Sequence, residues 1–313
     1  MRQKTIKLAV ALTVAMVCLT LVQEVRANKL DLSLARFVDC NVDGTICNPD
    51  VVEYEKFLAE YAFGLSPRIL VPAETLGYSG FYLGLEGSLT PRPDTKGSAA
   101  RWKKGTVPAT EHPDVMFVPA VRVRKGLPWS FEIGGTLNYL AQSELVGLGG
   151  DIKWSLFEGY RRSWRGALPD IAARGSITRI IGEADVDMTI VALDASMSYA
   201  FGIGGMVTLT PWLGFQYIWT IVRVEPLIYR DDSYSTPTFH PPTGDEYKVD
   251  TLSGPNLGRA KLFAGFRFGY EMLTFSFELG WGIKSDWKAE TEAKEKVAIG
   301  HQIQVSGGVG IDF

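Results

Sequence analysis

The chain has 313 residues, of which 32 are basic and 35 acidic, giving a formal net charge of −3. Removing residues 1–27 as an export signal takes away four basic residues and one acidic residue, which leaves 286 residues with 28 basic and 34 acidic ones, a net charge of −6. This balance lacks the basic footprint that nucleic-acid binding requires. A hydrophobic content of 46% excludes a disordered chain. The length fits one large all-β domain or two ordinary domains.

The N-terminus carries the pattern of an export signal. A basic stretch over residues 1–7 precedes an apolar run from Leu8 to Val22, and Val25-Arg26-Ala27 fits a small-x-small cleavage site. The run has fifteen residues, fewer than the roughly 20 that a membrane-spanning helix needs. We therefore predict a signal peptide over residues 1–27. Since no later run is long enough for such a helix, this chain can enter a membrane only as a closed sheet.

Residues 28–76 form a separate predicted module that contains two cysteines, Cys40 and Cys47. An even pair of cysteines in an exported chain predicts a disulfide that closes a small loop. A pair of free buried thiols is the alternative.

The stretch between and beside these cysteines resembles a calcium loop of the EF-hand or dockerin type. A hard cation takes six to eight oxygen ligands, and a Gly at the sixth position allows the turn that aims them inward. The candidate ligands are Asp39, Asn41, Asp43, the Thr45 carbonyl and Asp50. The twelfth position is Asp50 instead of a bidentate Glu, and a metal-free disulfide turn is the competing interpretation. No other cofactor is predicted.

A helix is predicted directly after this loop. Asn48 can cap it, Pro49 suits the first helical position and Gly64 can end it. Apolar residues recur at helical spacing at Val51, Tyr54, Phe57, Leu58 and Tyr61. We expect this stripe to pack against the rest of the protein.

From residue 77 onward the hydrophobic period changes from 3.6 to 2. In one segment Phe275, Phe277 and Leu279 oppose Ser276, Glu278 and Gly280. Because successive side chains of a strand point to opposite faces, each such segment is apolar on one face and small or polar on the other. About ten strands, with an uncertainty of two, are predicted at 77–89, 115–124, 129–140, 145–156, 170–180, 188–201, 206–221, 259–270, 273–284 and 297–313.

Three features indicate that the apolar faces point into lipid. The polar faces are rich in Gly, Ser and Thr, whereas a water-exposed face would be dense in Lys and Glu. Aromatic residues gather near strand ends, as in interfacial girdles. Long polar connections such as 91–114 and 222–258 alternate with tight ones, which is typical of outer-membrane barrels.

The chain ends with Val309, Ile311 and Phe313 on one face of the last segment. Together with the signal and the alternation, this ending resembles that of bacterial outer-membrane β-barrel proteins. The resemblance covers residues 77–313 and implies a closed antiparallel up-and-down transmembrane barrel in the Gram-negative outer membrane. It also implies that Phe313 is read by the barrel-assembly machinery. An even strand number would place the C-terminus and the module of residues 28–76 together in the periplasm.

The inward faces predict a charged lumen. Ten strands lie near the narrow end of barrel sizes, and charges buried at low dielectric need partners. We therefore expect a salt-bridged interior that is plugged, with a slender, weakly anion-preferring channel for small solutes as the alternative. The predicted lumen charges are Glu86, Arg122, Arg124, Glu132, Asp151, Lys153, Arg174, Asp194, Lys261, Arg267, Glu278 and Lys284.

Two other function classes remain as alternatives to this non-enzymatic interpretation. An outer-membrane hydrolase would need a base, and the chain has only His112, His240 and His301. Asp231 and Asp232 precede His240, but the paired acidic motifs of omptin proteases are not evident. A soluble exported barrel with an apolar ligand inside would invert the two faces. The loop 222–258 is the candidate contact site for an extracellular partner.

Overall fold

The computed structural model describes residues 29–32, 37–40, 47–95, 97–107, 114–158, 168–182, 186–224, 257–288 and 296–313. The described residues include two helices, α1 (Val51–Leu65) and α2 (Ser98–Gly105). Neither is long and apolar enough to cross a membrane. Ten long strands, β1 to β10 in chain order, span Phe81–Pro91, Val115–Leu127, Phe131–Tyr139, Val146–Phe157, Asp170–Ile181, Val186–Ser198, Val207–Val224, Arg259–Tyr270, Leu273–Gly282 and Gln302–Asp312.

These ten strands form one closed antiparallel barrel. Each strand pairs with the next one along the chain, and β10 pairs with β1 through partners such as Val309 and Leu85. Closure removes the unpaired edges that an open sheet would leave. The prediction of an all-β, up-and-down barrel with ten strands is confirmed, and most of the predicted strand limits lie within a few residues of the observed ones.

The apolar faces of the strands point outward. Phe215, Phe277 and Trp281 keep 41–46% of their surface exposed, whereas Glu278, between two of these positions, is fully buried. Because side chains alternate along a strand, this one comparison fixes the orientation of all of β9. The protein thus presents a hydrophobic outer wall and a polar interior.

The two ends of the barrel differ. We call the end that carries the tight connections at 128–130 and 271–272, together with Phe313, the turn end. The opposite end, which carries α2 between β1 and β2, is the loop end. Exposed aromatic residues lie at both ends, for example Trp129 at the turn end and Tyr139 at the loop end.

Short two-stranded pairs supplement the barrel. The short strand Phe201–Ile203 pairs antiparallel with the first residues of β7 at the turn end. Three pairs accompany the loop-end and N-terminal regions, namely Asp31–Leu32 with Thr106–Val107, Val38–Cys40 with Cys47–Pro49, and Ser285–Lys288 with Lys296–Ile299.

Helix α1 lies in the mouth of the barrel at the loop end. Its apolar side chains, including Phe57, Leu58 and Tyr61, are buried in one cluster with inward residues of the wall such as Ile190 and Val222. The expectation that the helical stripe packs against the rest of the protein agrees with this cluster. Gly105 at the end of α2 permits the approach of Phe57, because an added Cβ would lie 2.5 Å from its ring.

The N-terminal cap of α1 differs from the predicted one. Asp50 is the cap, and its side chain accepts a 3.1 Å hydrogen bond from the Glu53 N–H. Asn48 and Pro49 instead belong to the strand Cys47–Pro49, which pairs with Val38–Cys40. Because of this strand pairing, the helix begins two residues later than predicted. Its C-terminal cap is Ser66, whereas Gly64, the predicted end, lies within the helix.

Residues 66–76, which we call the plug segment, run through the lumen from α1 to the start of β1. Gln304 contacts the carbonyl of Gly64 near the loop end, and Glu132 contacts the Leu76 N–H near the turn end. Consequently α1 and Phe313 lie at opposite ends of the barrel. This differs from the expectation that the module of residues 28–76 lies beside the C-terminus. The reason is that the plug segment, its last part, crosses the lumen and leaves α1 at the loop end.

Candidate functional site: the filled lumen

Basic and amide side chains of the wall hold the carbonyl groups of the plug segment. Nη2 of Arg122 and Nη1 of Arg174 each donate to the Arg68 carbonyl at 3.0 Å. Nζ of Lys153 donates to the carbonyls of Pro72 (3.0 Å) and Glu74 (2.7 Å). These contacts supply hydrogen-bond donors to buried backbone carbonyl groups, which would otherwise need water molecules as partners.

Acidic and hydroxyl side chains of the wall accept hydrogen bonds from the same segment. The Leu70 N–H donates to Glu278 at 3.0 Å, the Ala73 N–H to Ser198 at 2.9 Å and the Leu76 N–H to Glu132 at 3.1 Å. The partners come from β9, β6 and β3, which lie on different sides of the barrel. The plug segment is thus fixed to the wall around its circumference.

Arg68 anchors the plug segment with its side chain. Its guanidinium donates to Oγ of Ser88 (3.0 Å), to Oδ1 of Asn138 (2.9 Å) and to the carbonyl of Val118. Arg68 keeps only 3% of its surface exposed. This residue joins β1, β2 and β3 across the lumen.

The wall itself carries a network of buried ion pairs. Arg122 contacts Glu86 at 2.8 Å, Arg174 contacts Asp194 at 3.0 Å, and Lys153 contacts Glu132 at 3.3 Å. Arg124 contacts both Glu132 and Asp151, and Lys261 faces Glu278 at 3.7 Å. Such pairing offsets the cost of removing these charges from water.

The structure brings eleven of the twelve predicted lumen charges together inside the barrel. Arg267 belongs to this set and pairs with Asp312 near the turn end. Lys284 differs from the prediction, because β9 ends at Gly282 and the Lys284 side chain is exposed. The alternation therefore identifies inward residues correctly within a strand and fails just beyond its end.

Several residues that fill the lumen were not predicted. Arg68 was missed because the plug segment shows neither helical nor strand periodicity. Gln216 and Gln304, which donate to the carbonyls of Pro67 and Gly64, lie on the polar faces that alternation assigns to the lumen. Their position was readable from the sequence, but their uncharged side chains gave no reason to single them out.

A second polar cluster joins the two helices at the loop end. Arg101 of α2 bridges Glu53 and Glu60 of α1, and Nε1 of Trp102 donates to Glu60 at 2.8 Å. Burial raises the pKa of the Glu60 carboxyl, against the opposing charge of Arg101. Burial acts in the same sense on Glu53, but Lys56 and Arg101 outweigh it and lower the pKa of that carboxyl.

The remaining predicted site residues divide into two groups. The backbones of Cys40 and Cys47 are direct partners in an antiparallel pair, which leaves the disulfide a prediction. Asn41, Asp43 and Thr45 of the calcium loop lie outside the described residues, as do His112, His240 and residues 225–256 of the candidate partner loop. Asp50 serves as the helix cap.

Two further observations concern possible metal and catalytic groups. No cluster of three or more His, Cys, Asp or Glu side chains suited to a metal ion occurs among the residues that the structure describes. The ring of His301 contacts Trp281 with a centroid distance of 5.1 Å, and His301 is exposed.

Comparison with known proteins finds distant similarity to solved structures. No family model and no curated protein matches the sequence. The N-terminal β-barrel domain of Pseudomonas aeruginosa OprF is 10% identical, with a TM-score of 0.27, over 76% of this chain and 99% of that one. Ail of Yersinia pestis is 9% identical, with a TM-score of 0.26, over 75% of this chain and 99% of that one. The translocator domain of the autotransporter NalP from Neisseria meningitidis is 10% identical, with a TM-score of 0.35, over 83% of this chain and 94% of that one.

These three structures are bacterial outer-membrane β-barrels. The strand pairing of this chain itself shows a closed ten-stranded barrel.

Proposed function

We propose that this chain is a non-enzymatic outer-membrane β-barrel whose lumen is closed, and that it holds a folded N-terminal segment at its loop end. The observation that carries the proposal is the plug segment, which crosses the lumen and is hydrogen-bonded to wall residues on several sides. A structural anchor fits this arrangement better than a passive channel, since the space that a solute would use is filled with protein.

The outer wall supports placement in a lipid bilayer. Residues such as Phe215, Phe277 and Trp281 would be costly to expose to water but are favourable against acyl chains. Outer-membrane lipid is therefore the proposed surrounding partner, and the barrel-assembly machinery the proposed reader of Phe313. Since outer-membrane barrels carry their long loops outside the cell, the loop end and α1 would face the exterior. An extracellular partner would then meet this end.

Planar-bilayer recordings of the full chain test the closed lumen. We expect no steady conductance from the wild type. A K153M/E278L double variant removes two of the wall groups that hold the plug segment and should show openings. The matched control swaps the two charges of a partly exposed ion pair on the barrel, Arg179→Asp with Asp187→Arg. This control variant should stay closed. Steady wild-type conductance would contradict the proposal.

Membrane-impermeant thiol labelling of intact cells tests the orientation in a Cys40→Ser, Cys47→Ser background. Lys103→Cys in α2 should be labelled from outside, whereas Glu271→Cys at the turn end should be labelled only after permeabilisation. The reverse pattern would contradict the orientation without affecting the closed lumen.

A further inference from the structure

A groove interrupts the apolar outer wall on one side of the barrel. Its floor consists of small residues, Ala173 and Gly175 of β5 and Ala195 of β6. Trp154 of β4 lies directly beside Ala173, and Phe215 of β7 directly beside Ala195, so that an aromatic side chain borders the floor on each side. At a strand spacing of about 4.8 Å, these two borders are about 14 Å apart along the sheet.

Packed aromatic rings form the two sides of the groove. Phe131 stacks on Trp154 with a centroid distance of 5.6 Å, and Tyr217 contacts Trp219 edge on at 4.7 Å. The groove has a volume of about 780 Å³, within the range of about 300–1,000 Å³ that is usual for small-molecule sites. The outer wall thus contains a recess that is large enough for a ligand and is lined mainly by apolar groups.

An exposed ion pair lies on the same face of the barrel, on the loop-end side of the groove. Arg179 follows Gly175 by four residues on β5, a distance of about 13 Å along a strand. Its Nη2 donates to Oδ2 of Asp187 on β6 at 2.6 Å, and 54% of the Arg179 side chain and 35% of the Asp187 side chain remain exposed. Leu148, the register partner of Arg179 on β4, is apolar. Two opposite charges therefore lie side by side on an otherwise apolar part of the wall.

This ion pair can bind a head group with two opposite charges and stay intact. A guanidinium has five N–H donors, and the described contacts of Arg179 with Asp187 and Thr189 use two of them. The exposed edge of Arg179 can therefore donate to a phosphate. A carboxylate has about four acceptor positions, so Asp187 can also accept from an ammonium group. A purely anionic head group would instead be repelled by Asp187.

A lipid fits this groove better than a second copy of the chain. A second copy that used the same face would set its own recessed floor opposite this one, and the atoms that line the resulting void would lose contacts. Flexible acyl chains adapt to a concave surface. The groove is also continuous with the outer wall that the proposed function places in acyl chains, and the charges of the ion pair lie at the end of the groove where a head group would emerge.

We propose that the groove and the ion pair together bind one zwitterionic phospholipid of the phosphoethanolamine type. Its acyl chains lie over Ala173, Gly175 and Ala195. Its phosphate accepts from Arg179, and its ammonium group donates to Asp187. This site rests on the proposed placement of the outer wall in lipid, and it adds one position on that wall where a particular head group is preferred.

Photolabelling of the full chain in detergent tests the position of the lipid. The probe is phosphatidylethanolamine with a diazirine in one acyl chain, added at a low molar ratio. We expect the label predominantly on peptides from β5 and β6. Even labelling around the barrel would overturn the site and leave the placement of the wall in lipid intact. Absence of label from every outward face would overturn both.

Native mass spectrometry with added lipids tests the preference for the head group. The wild type should bind one phosphatidylethanolamine about tenfold more tightly than phosphatidylglycerol, which has no ammonium group, as expected for one hydrogen bond between charged groups. Asp187→Asn should remove this preference. Because the ion pair is partly exposed, its loss should leave the barrel folded. Equal affinities of the wild type for the two lipids would overturn the proposal.

A filled groove provides the matched comparison. Ala195→Leu places a larger side chain on the floor and should weaken the binding of phosphatidylethanolamine about tenfold, since the acyl chains lose their contacts there. The control Ala264→Leu makes the same exchange at an exposed position of β8 and should bind like the wild type. Equal affinities of these two variants, or a second copy of the chain bound in place of the lipid, would overturn the proposal.

Discussion

The backbone N–H of Leu70 donates a 3.0 Å hydrogen bond to Glu278, joining two residues that are 208 positions apart in the chain. The other carboxylate oxygen of Glu278 faces Nζ of Lys261 at 3.7 Å. One fully buried carboxylate therefore connects the plug segment to two neighbouring strands of the wall.

Replacing Glu278 by Leu should destabilise the barrel by about 3–5 kcal/mol, because Lys261 would remain buried with its charge uncompensated by a partner. Glu278→Gln keeps an acceptor for the Leu70 N–H and should cost less. Urea unfolding of the full chain in lipid vesicles measures both. Equal stabilities of the wild type and the Leu variant would show that the carboxylate does not hold the plug segment.

A charged side chain on the outer wall should lower the stability of the protein in bilayers, and more so near the middle of the membrane than near its surface. Phe277 lies in the middle of β9 and points outward, so Phe277→Arg should destabilise the protein in bilayers by about 2–4 kcal/mol. Leu89 also points outward but lies near the loop end, and Leu89→Arg should cost about 0–1 kcal/mol. Equal costs at the two positions would argue against a lipid-facing wall.

The contact between α1 and α2 should respond to pH through two carboxyls with opposite effects. The pKa of Glu53 is lowered below 4.5, so its stabilising contribution is present above that value and is lost as the pH falls through its folded pKa. The pKa of Glu60 is raised above 4.5, so the native state binds its proton more tightly and the stability falls as the pH rises from 4.5 through the folded pKa.

Hydrogen exchange of the α2 amides, corrected for intrinsic rates, measures this response in the full chain. Protection in the wild type should be highest near pH 4.5 and decline on both sides. Glu53→Gln should remove the acidic decline, and Glu60→Gln should remove the decline at higher pH. Protection that is flat across this range in the wild type would refute the assignment.

The cysteine pair should be oxidised in the exported protein. Residues that lie directly opposite each other in an antiparallel pair have Cα atoms about 4.5–5.5 Å apart, which is within the usual range for disulfides of about 4.4–6.8 Å. Cys40 and Cys47 occupy such positions. Peptide mapping without reductant should recover a Cys40–Cys47 link. Free thiols at both positions in protein isolated from the membrane would contradict it.

The barrel was predictable from the sequence because each strand is marked by an alternation of side chains within the strand itself. A strand such as Leu273–Gly282 alternates between large apolar and small or polar residues. This pattern predicts the extended conformation and also which residues lie on each face of the strand. Lys284 shows the limit of that reasoning, since alternation does not show where a strand ends. The start of α1 was misplaced for a related reason, as the pairing of Cys47–Pro49 with Val38–Cys40 overrides a local capping signal.

The path of the plug segment was not predictable, because it depends on contacts between distant residues. Residues 66–76 have no periodicity that would place them inside the barrel. Their polar groups are satisfied by Glu132, Lys153 and Glu278, which are far away in sequence. The sequence indicated a charged lumen, but it did not indicate that a segment of the same chain fills it.

Disulfide trapping tests the position of the plug segment most directly. The Ala73 N–H lies 2.9 Å from Oγ of Ser198, so the backbone of residue 73 is in contact with the side chain of residue 198. We expect that Ala73→Cys combined with Ser198→Cys, in a Cys40→Ser, Cys47→Ser background, brings two thiols within reach of each other in the lumen. The structure predicts near-complete cross-linking of the folded, full-length barrel without added oxidant. Two thiols that stay reduced and react separately with maleimide, in a barrel that still migrates as folded protein, would contradict a lumen filled by residues 66–76.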